Sequence, residues 1–444
     1  MQAIKNAAEK YRQLIYDTQE FILQHPETGY KEIETSKYLE NIFRTLGYDV
    51  VCAKDITGFY TRIETGRPGP EVMILAELDS IICPSHPNAD PITGAAHACG
   101  HNAQCAAMVG IAAALTEPNV LEGLSGNIRL CLVPAEELLE IEYRTKLKEE
   151  NKIKYMGGKS EFLSRGYFDG VDIAFMIHTS DSTRVMEGSV GCMAKSIIYK
   201  GRSSHAGGSP WNGINALYAA NCGLNAINAI RETFKEADII RVHPIITKGG
   251  DMVNAIPEEV RMESYVRGNT FEGIVEANNK VNQALIGAAI SIGANIEIID
   301  IPGYAPLHND SGLRELMKEA ADAIIPEHGC FLPKTFGSGS TDMGDLSCIM
   351  PVVHPHCNGA AGQAHGNNYQ IADVEKACVD SAKWQVAALR LLLQDDAFRA
   401  KKIVADYKPL FASKDEYLSF MNSLNCSGNR IVYQGDGTAT IKLW

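Results

Sequence analysis

The chain of 444 residues lacks the features that define several specialised classes of protein. It has no run of about eighteen apolar residues, so no segment is predicted to cross a membrane. Its 12 cysteines include no CxxC pair and form no evident disulfide framework. The formal net charge of −13 argues against nucleic-acid binding, which needs clustered Lys and Arg. Residues 1–5 lack the apolar core of a signal peptide, so we predict a cytoplasmic protein with reduced thiols.

The length and the pattern of apolar residues predict two domains. A chain of this length is too long to fold around one hydrophobic core of ordinary size. Short apolar strands at 72–76, 128–133 and 171–177 are interspersed with helices such as 102–115. This order predicts an α/β fold with a mostly parallel sheet flanked by helices. In such sheets, ligands bind where loops leave the carboxyl ends of the strands.

The middle of the chain has a different order of elements. Between residues 191 and 302 the predicted order is βαββαβ, which is typical of a self-contained ferredoxin-like unit. We therefore interpret residues 191–302 as a domain inserted into another one. The first part of that other domain is 1–190, and its second part is 303–444, which includes a C-terminal extension.

The clearest chemical signal is the sequence His-Ala-Cys-Gly-His-Asn at 97–102, between a predicted strand and a predicted helix. Cys99 and His101 lie two residues apart, so a thiolate and an imidazole can bind one borderline metal such as zinc. A lone cysteine is more often simply buried. The motif therefore gains its weight from other candidate ligands.

Further candidate ligands follow the neighbouring strands. Glu136 and Glu137 come directly after strand 128–133, and His178 is predicted to end the next apolar strand. Adjacent carboxylates allow one to bind a metal while the other transfers a proton. Paired glutamates are usually surface charge, but three strand ends with such residues are seldom a coincidence. Asp79 would hydrogen-bond a ligating imidazole or cap its loop.

Together these motifs resemble a known family, the dinuclear metal-dependent amidohydrolases and peptidases that include aminoacylases and auxin-conjugate hydrolases. The similarity is closest to the aminobenzoyl-glutamate hydrolase-like branch and runs from about Tyr11 to Leu393. The shared stretches are 25–27 with Glu32 and Thr35, 77–79, 97–102, 134–137, His178, 201–206 with Pro210 and 213–216, 254–257 with Arg267, 340–345, and 364–365.

The resemblance implies two divalent ions, zinc or manganese, in each chain. They would serve the hydrolysis of an N-acyl amino acid, an aminobenzoyl-glutamate-like conjugate or a dipeptide at its amide bond. Cys99 would bridge the ions as a thiolate, and His101, Glu137, His178 and His365 would complete their ligands. The first domain would then be catalytic, and the inserted domain would act as a lid and dimerise.

The resemblance also implies the groups that act on the substrate. Glu136 would be the general base for a water held by the ions. His205, in the inserted domain, would contact the oxyanion in the site of the other subunit of a homodimer. Asn254 and Arg267 would hold the substrate carboxylate.

Some positions depart from the family or compete for a role. Asn102 and Glu77 stand where many relatives have Asp, as expected of the aminobenzoyl-glutamate hydrolase-like branch. His354 and His356 are alternatives to His365 as the last ligand, although the order of motifs favours His365.

Two other functions are open. A metal-free binding or scaffold protein predicts lost ligands, and none is missing. A cysteine-nucleophile amidase would use Cys99 with His97 or His101 as its base, but it leaves Glu136, Glu137 and His178 without a purpose. Sensitivity to chelators would separate these functions from metal-dependent hydrolysis.

Overall fold

A computed structural model describes residues 1–443, which divide into two compact units. The first unit comprises Met1–Gly188, Leu307–Gly337 and Thr341–Lys414. The second unit comprises Ser189–Pro306, Ser338–Ser340 and the residues from Asp415 onward. In this part of the chain no helix has both the length and the apolar character needed to span a membrane.

The helices occur in both units. They are α1 (Gln2–Lys10), α2 (Arg12–Leu23), α3 (Ile33–Thr45), α4 (His101–Leu115), α5 (Pro118–Leu121), α6 (Ile141–Glu149), α7 (Gly158–Ser164), α8 (Ala216–Ile230), α9 (Phe271–Ile292), α10 (Ser311–Ile324), α11 (Met343–Ser347), α12 (Ser381–Asp406, with non-helical backbone at 394–397) and α13 (Lys414–Ser423).

The strands are mostly short. They are β1 (Val51–Cys52), β2 (Phe59–Glu64), β3 (Glu71–Glu77), β4 (Ile81–Ile82), β5 (Ala95–Ala96), β6 (Asn127–Val133), β7 (Ile173–Phe175), β8 (His178–Ser180), β9 (Gly188–Ser189), β10 (Gly191–Lys200), β11 (Arg241–Lys248), β12 (Glu259–Gly268), β13 (Asn295–Tyr304), β14 (Leu307–His308), β15 (Phe336–Gly337), β16 (Val352–Val353), β17 (His356–Asn358), β18 (Ala360–Ala361), β19 (Gln370–Ile371), β20 (Cys426–Asn429), β21 (Ile431–Tyr433) and β22 (Ala439–Ile441).

The first unit is built on a six-stranded sheet in the order β1-β2-β6-β3-β7-β16. The neighbours β6, β3, β7 and β16 pair in parallel, whereas β2 pairs antiparallel with β6 and with β1. All seven residues of β3 are buried, as expected for an apolar strand inside a parallel sheet. This sheet confirms the predicted α/β class; the sequence did not reveal the antiparallel edge.

Helix α4 carries part of the candidate site into the core of the first unit. All fifteen of its residues are buried, and most are small, which allows close packing against neighbouring elements. Gly100 precedes the helix with a φ of 102°, a conformation that favours glycine. A Cβ at Gly100 would collide with the Tyr369 hydroxyl. This glycine therefore lets the chain turn sharply between Cys99 and His101.

The second unit is an antiparallel sheet in the order β11-β12-β10-β13-β20 with helices α8 and α9. Alternate residues of β12 are buried, including Val260, Met262 and Val266, so one face of the sheet forms the core. The Thr270 hydroxyl accepts a hydrogen bond from the Gly273 amide and caps α9. In chain order, the elements β10, α8, β11, β12, α9 and β13 have the predicted βαββαβ arrangement.

The C-terminal extension lies with the second unit. The predicted division kept all of 303–444 in the first domain, whereas residues from Asp415 onward cluster with the inserted segment. The reason is strand pairing: β20 extends the sheet beyond β13, for example through Ile298 opposite Gly428. The buried Arg430 also donates from Nη2 to the Ile298 carbonyl oxygen at 3.2 Å.

Candidate metal centre

His101 opens α4 and is surrounded by acidic side chains at the carboxyl ends of the parallel strands. Its Nδ1 lies 2.8 Å from the carbonyl oxygen of Asp79 and 3.2 Å from Oδ1 of the same residue. Its Nε2 lies 3.2 Å from Oε2 of Glu77 and 4.0 Å from Oε2 of Glu136. All four side chains are buried. The imidazole is thus oriented by Asp79 and directs Nε2 toward carboxylates.

Cys99 lies beside a second imidazole. Its Sγ is 3.4 Å from Nε2 of His178, whose Nδ1 donates to the carbonyl oxygen of Thr179 at 2.8 Å. Burial and the charge of Glu137 raise the pKa of the Cys99 thiol, but the charges of His101 and His178 outweigh them and lower it to about 6. A thiol with this pKa is largely a thiolate at neutral pH, the form that binds metals.

Glu137 and His365 form another pair at the same centre. Oε1 of Glu137 lies 3.1 Å from Nε2 of His365, and the Glu137 amide donates to Oδ2 of Asp79 at 2.9 Å. His365 has a φ of 62° and donates from its amide to the Ala98 carbonyl oxygen at 2.8 Å. Hydrogen bonds to Cys99 and Glu137 raise the pKa of His365 to about 11. The Cys99 sulfur and the Glu137 carboxylate therefore favour a positively charged group at this position.

The potential ligand atoms converge closely enough to hold cations. Within each of three groups of side chains, the nitrogen, sulfur or oxygen atoms lie within 4.8 Å of one another. Nε2 of His101 is buried and makes no hydrogen bond within residues 1–443. One thiolate with imidazoles and carboxylates suits zinc or manganese. The three convergent groups of ligand atoms are Cys99 with His101 and His178, Cys99 with Glu137 and His365, and Glu77 with His101 and Glu136.

Other candidate histidines lie near the centre but outside these groups. They lie beside His178, a member of the first group, which was predicted to end strand 171–177 but instead opens the separate strand β8 and is paired with His356 on β17. The rings of His354 and His356 lie 5.9 Å and 6.0 Å from the ring of His178. Of the three candidates for the last ligand, His365 is the one in a convergent group.

The predicted oxyanion donor, His205, and the predicted substrate-binding residues, Asn254 and Arg267, lie in the second unit. His205 and Asn254 are exposed, and Arg267 is half-buried on β12. Nδ1 of His205 accepts hydrogen bonds from the amides of Gly207 at 3.1 Å and Gly208 at 2.9 Å. Because Nδ1 is an acceptor, the neutral ring carries its hydrogen on Nε2. His205 can therefore donate a hydrogen bond to a ligand.

A buried cation beside the centre was not predicted from the sequence. Lys159, on α7, is fully buried and donates from Nζ to Oε1 of Glu77 at 2.6 Å and to Oδ1 of Asp342. The preceding Gly158 lies so close to the Pro134 carbonyl oxygen that any Cβ would overlap it. The pair of glycines before Lys159 was the only local signal of this close packing. A lysine in a polar segment otherwise indicates solvent exposure.

Glu136 lies in an environment that disfavours its charged form. Burial, followed by the charges of Glu77, Glu137 and Asp342, raises the pKa of Glu136 well above its usual range. The attraction of nearby carboxylates, Glu136 among them, raises the pKa of Lys159 despite its burial. A buried carboxyl group with a raised pKa takes up a proton more readily than an ordinary carboxylate, which suits a group that accepts and then releases a proton.

Comparison with known proteins places this centre in a family. The model of Peptidase family M20/M25/M40 matches residues 76–390, which is most of the chain, so the protein belongs to that family. This assignment confirms the resemblance inferred from the motifs. The matched segment contains the candidate ligands from Cys99 to His365.

Individual relatives differ in the substrates that their names state. Human Xaa-Arg dipeptidase is 30% identical over 269 residues, which are 60% of this chain and 58% of that enzyme. The N-acetyl-L-cysteine deacetylase of Bacillus subtilis (strain 168) is 28% identical over 319 residues, 67% of this chain and 70% of that one. A Bacillus subtilis structure described as a dinuclear metal binding peptidase from the M20 family has a TM-score of 0.63 at 20% identity, with 87% and 99% of the two chains covered. That structure supports the fold.

Proposed function

We propose that this protein is a two-metal hydrolase that cleaves the amide bond of an N-acyl amino acid, an aminobenzoyl-glutamate-like conjugate or a dipeptide. The observation that carries the proposal is the position of Cys99, which belongs to two convergent groups of ligand atoms at once. A residue placed in this way suits a thiolate that bridges two cations. The names of the relatives, a dipeptidase and a deacetylase, are consistent with this substrate class.

The proposed ligands divide into two sets around Cys99. His101 and His178 lie on one side, and Glu137 and His365 lie on the other. When bound, two divalent ions would polarise the scissile carbonyl and make water a better nucleophile at neutral pH. Zinc and manganese both suit these donor atoms.

Glu136 is the proposed general base. It follows β6, and its Oε2 lies 4.0 Å from Nε2 of His101, so its carboxylate is next to the proposed ligands. Glu136 takes a proton from the attacking water as the water oxygen bonds to the carbonyl carbon. It then delivers that proton to the nitrogen as the C–N bond breaks, so the products are a carboxylic acid and an amine, which exchange a proton at neutral pH to give a carboxylate and an ammonium ion. The raised pKa of Glu136, caused first by burial, suits both transfers.

The second unit is the proposed lid and dimerisation domain. His205 would donate a hydrogen bond to the oxyanion, and Asn254 and Arg267 would bind the substrate carboxylate. Strand β11 is an edge of its sheet and exposes Ile245 and Ile246. An exposed apolar edge favours pairing with a second copy of the chain, and two-fold dimers are the commonest assembly. All 12 cysteines are unpaired, which supports a reducing, cytoplasmic location.

Mixing two inactive variants tests whether His205 acts across subunits. His205→Ala and Glu136→Gln should each be nearly inactive alone. After random subunit exchange, about half of the dimers are hybrids with one intact site, so activity should return to about a quarter of wild type. A mixture that remains inactive despite demonstrated exchange would show that His205 serves its own chain or has no catalytic role.

The substrate proposal is tested with a panel of N-acyl amino acids, aminobenzoyl-glutamate and dipeptides, assayed with apoprotein reconstituted with Zn²⁺ or Mn²⁺. We expect release of a free amine from at least one class and loss of that activity on chelation. The same assay addresses the cysteine-nucleophile alternative, which the 3.4 Å contact between Cys99 and His178 would permit. Full activity after complete removal of metal would favour that alternative.

A further inference from the structure

Glu77 is a buried carboxylate of the metal centre that has no role in the proposed mechanism. It ends β3 and is 1% exposed. Its Oε1 accepts from Nζ of Lys159 at 2.6 Å, and its Oε2 accepts from Nε2 of Gln104 at 2.9 Å. These two donors hold the carboxylate in one orientation, with Oε2 at 3.2 Å from Nε2 of His101.

The hydrogen bonding of His101 makes this contact informative. Its Nδ1 faces two oxygens of Asp79, at 2.8 Å and 3.2 Å, and both oxygens are acceptors. Nδ1 therefore carries a hydrogen, and the contact between Nε2 and Oε2 of Glu77 at 3.2 Å needs a positive charge between the two atoms. A proton on Nε2 supplies that charge in the metal-free protein, and a bound cation can take the place of the proton.

Lys159 does not supply that charge. Its Nζ lies on the Oε1 side of Glu77 and is also bonded to Asp342, so one cation is shared by two buried carboxylates. A buried carboxylate that is incompletely paired is costly. The remaining negative charge is directed toward His101.

We propose that Glu77 is a further ligand of the metal ion held by His101, an inference that rests on the proposed two-metal function. Oε2 of Glu77 is nearer to Nε2 of His101 than Oε2 of Glu136 is, at 3.2 Å against 4.0 Å. The three side chains form one of the convergent groups. With Glu77 as the ligand in this group, Glu136 keeps its role as the general base.

The test compares Glu77→Gln with Asp342→Asn, because both changes remove one carboxylate from Lys159 but only the first alters the group that faces His101. Apoprotein of each variant is titrated with Zn²⁺ in a calorimeter. Loss of a residue that only hydrogen-bonds a metal ligand lowers metal affinity by roughly 10- to 100-fold. We expect Glu77→Gln to lower the Zn²⁺ affinity of one of two binding steps by more than about 100-fold. Asp342→Asn should lower the affinity of neither step by more than about 100-fold.

A second readout reports coordination directly. In the Co²⁺-substituted protein, the visible absorption bands of one site should change in Glu77→Gln and persist in Asp342→Asn. Equal effects of the two variants on affinity, or an unchanged Co²⁺ spectrum in Glu77→Gln, would overturn the proposal and leave Glu77 as a hydrogen-bond acceptor. If Glu77→Gln does not fold, Glu77→Asp keeps the charge beside Lys159 and should still weaken the same step; unchanged affinity would contradict the proposal. Wild-type protein that binds no metal would instead refute the proposed function itself.

Discussion

Glu136→Gln should keep its full complement of metal and lose roughly 10²- to 10⁴-fold in turnover, the usual contribution of a general base. The amide has nearly the same size as the carboxyl group but does not accept a proton from water. The substrate would still bind, because Glu136 is not among the proposed ligands or substrate-binding residues. The measurement is the turnover number of the reconstituted variant together with its metal content.

Glu137→Gln is the matched control, since it changes the adjacent residue in the same way. This carboxylate lies 3.1 Å from Nε2 of His365 and within a group of possible ligands. We expect this variant to lose metal from the protein, with activity falling as a consequence. If Glu136→Gln lost the metal and Glu137→Gln kept it, the two roles would be assigned the wrong way round.

Cys99→Ser should weaken both metal sites. The thiol has a pKa lowered to about 6, through imidazole charges that outweigh burial, whereas a serine hydroxyl remains protonated at neutral pH. The variant therefore replaces an anionic ligand shared by two groups with a neutral one. Metal analysis after dialysis should show loss at both positions, and activity should fall with it.

Cys105→Ser is the control for this substitution, on the same segment of chain. Cys105 is fully buried on α4, and burial raises the pKa of its thiol, so it remains protonated. Its Sγ donates to the carbonyl oxygen of Glu77 at 3.0 Å, a bond that a serine hydroxyl can also make. Metal content should therefore match wild type. Equal loss of metal in the two serine variants would refute a special role for Cys99.

The parallel strands were predictable because burial on both faces of a sheet requires a continuous apolar run. Strands β3 and β6 were therefore found within one or two residues of their ends. The run at 171–177 was misleading, since only Ile173–Phe175 forms β7 and His178 begins another strand. Backbone pairing with β17, distant in the sequence, causes that break. Pairing of this kind leaves no local pattern.

The charged residues that support the centre were not predictable for a related reason. Arg144 and Lys159 lie in a polar helical segment that resembles a solvent-exposed surface, yet both side chains are fully buried. Arg144 donates from Nη1 to the Met156 carbonyl oxygen at 2.8 Å and from Nη2 to the Glu137 carbonyl oxygen. Only the folded chain brings these partners together. Candidate ligands were easier to find, because a thiol with an imidazole, paired glutamates and a further histidine after neighbouring predicted strands seldom occur together.

Strand β20 was missed because the tail is distant in the sequence from the sheet that it joins. Its sequence, Cys-Ser-Gly-Asn, has little strand propensity of its own. It pairs with β13, which supplies an edge for it. The boundary of the C-terminal extension therefore depends on tertiary contacts.

The metal content of the wild-type protein, measured together with its activity, tests the proposed two-metal function. Purified protein is stripped with a chelator, reconstituted with Zn²⁺ or Mn²⁺, and analysed for bound metal and for release of amine from N-acyl amino acids and dipeptides. We predict two metal ions per chain, loss of hydrolysis on stripping, and its return as both ions rebind. One ion or none per chain in active protein, or hydrolysis that survives complete stripping, would contradict a two-metal function.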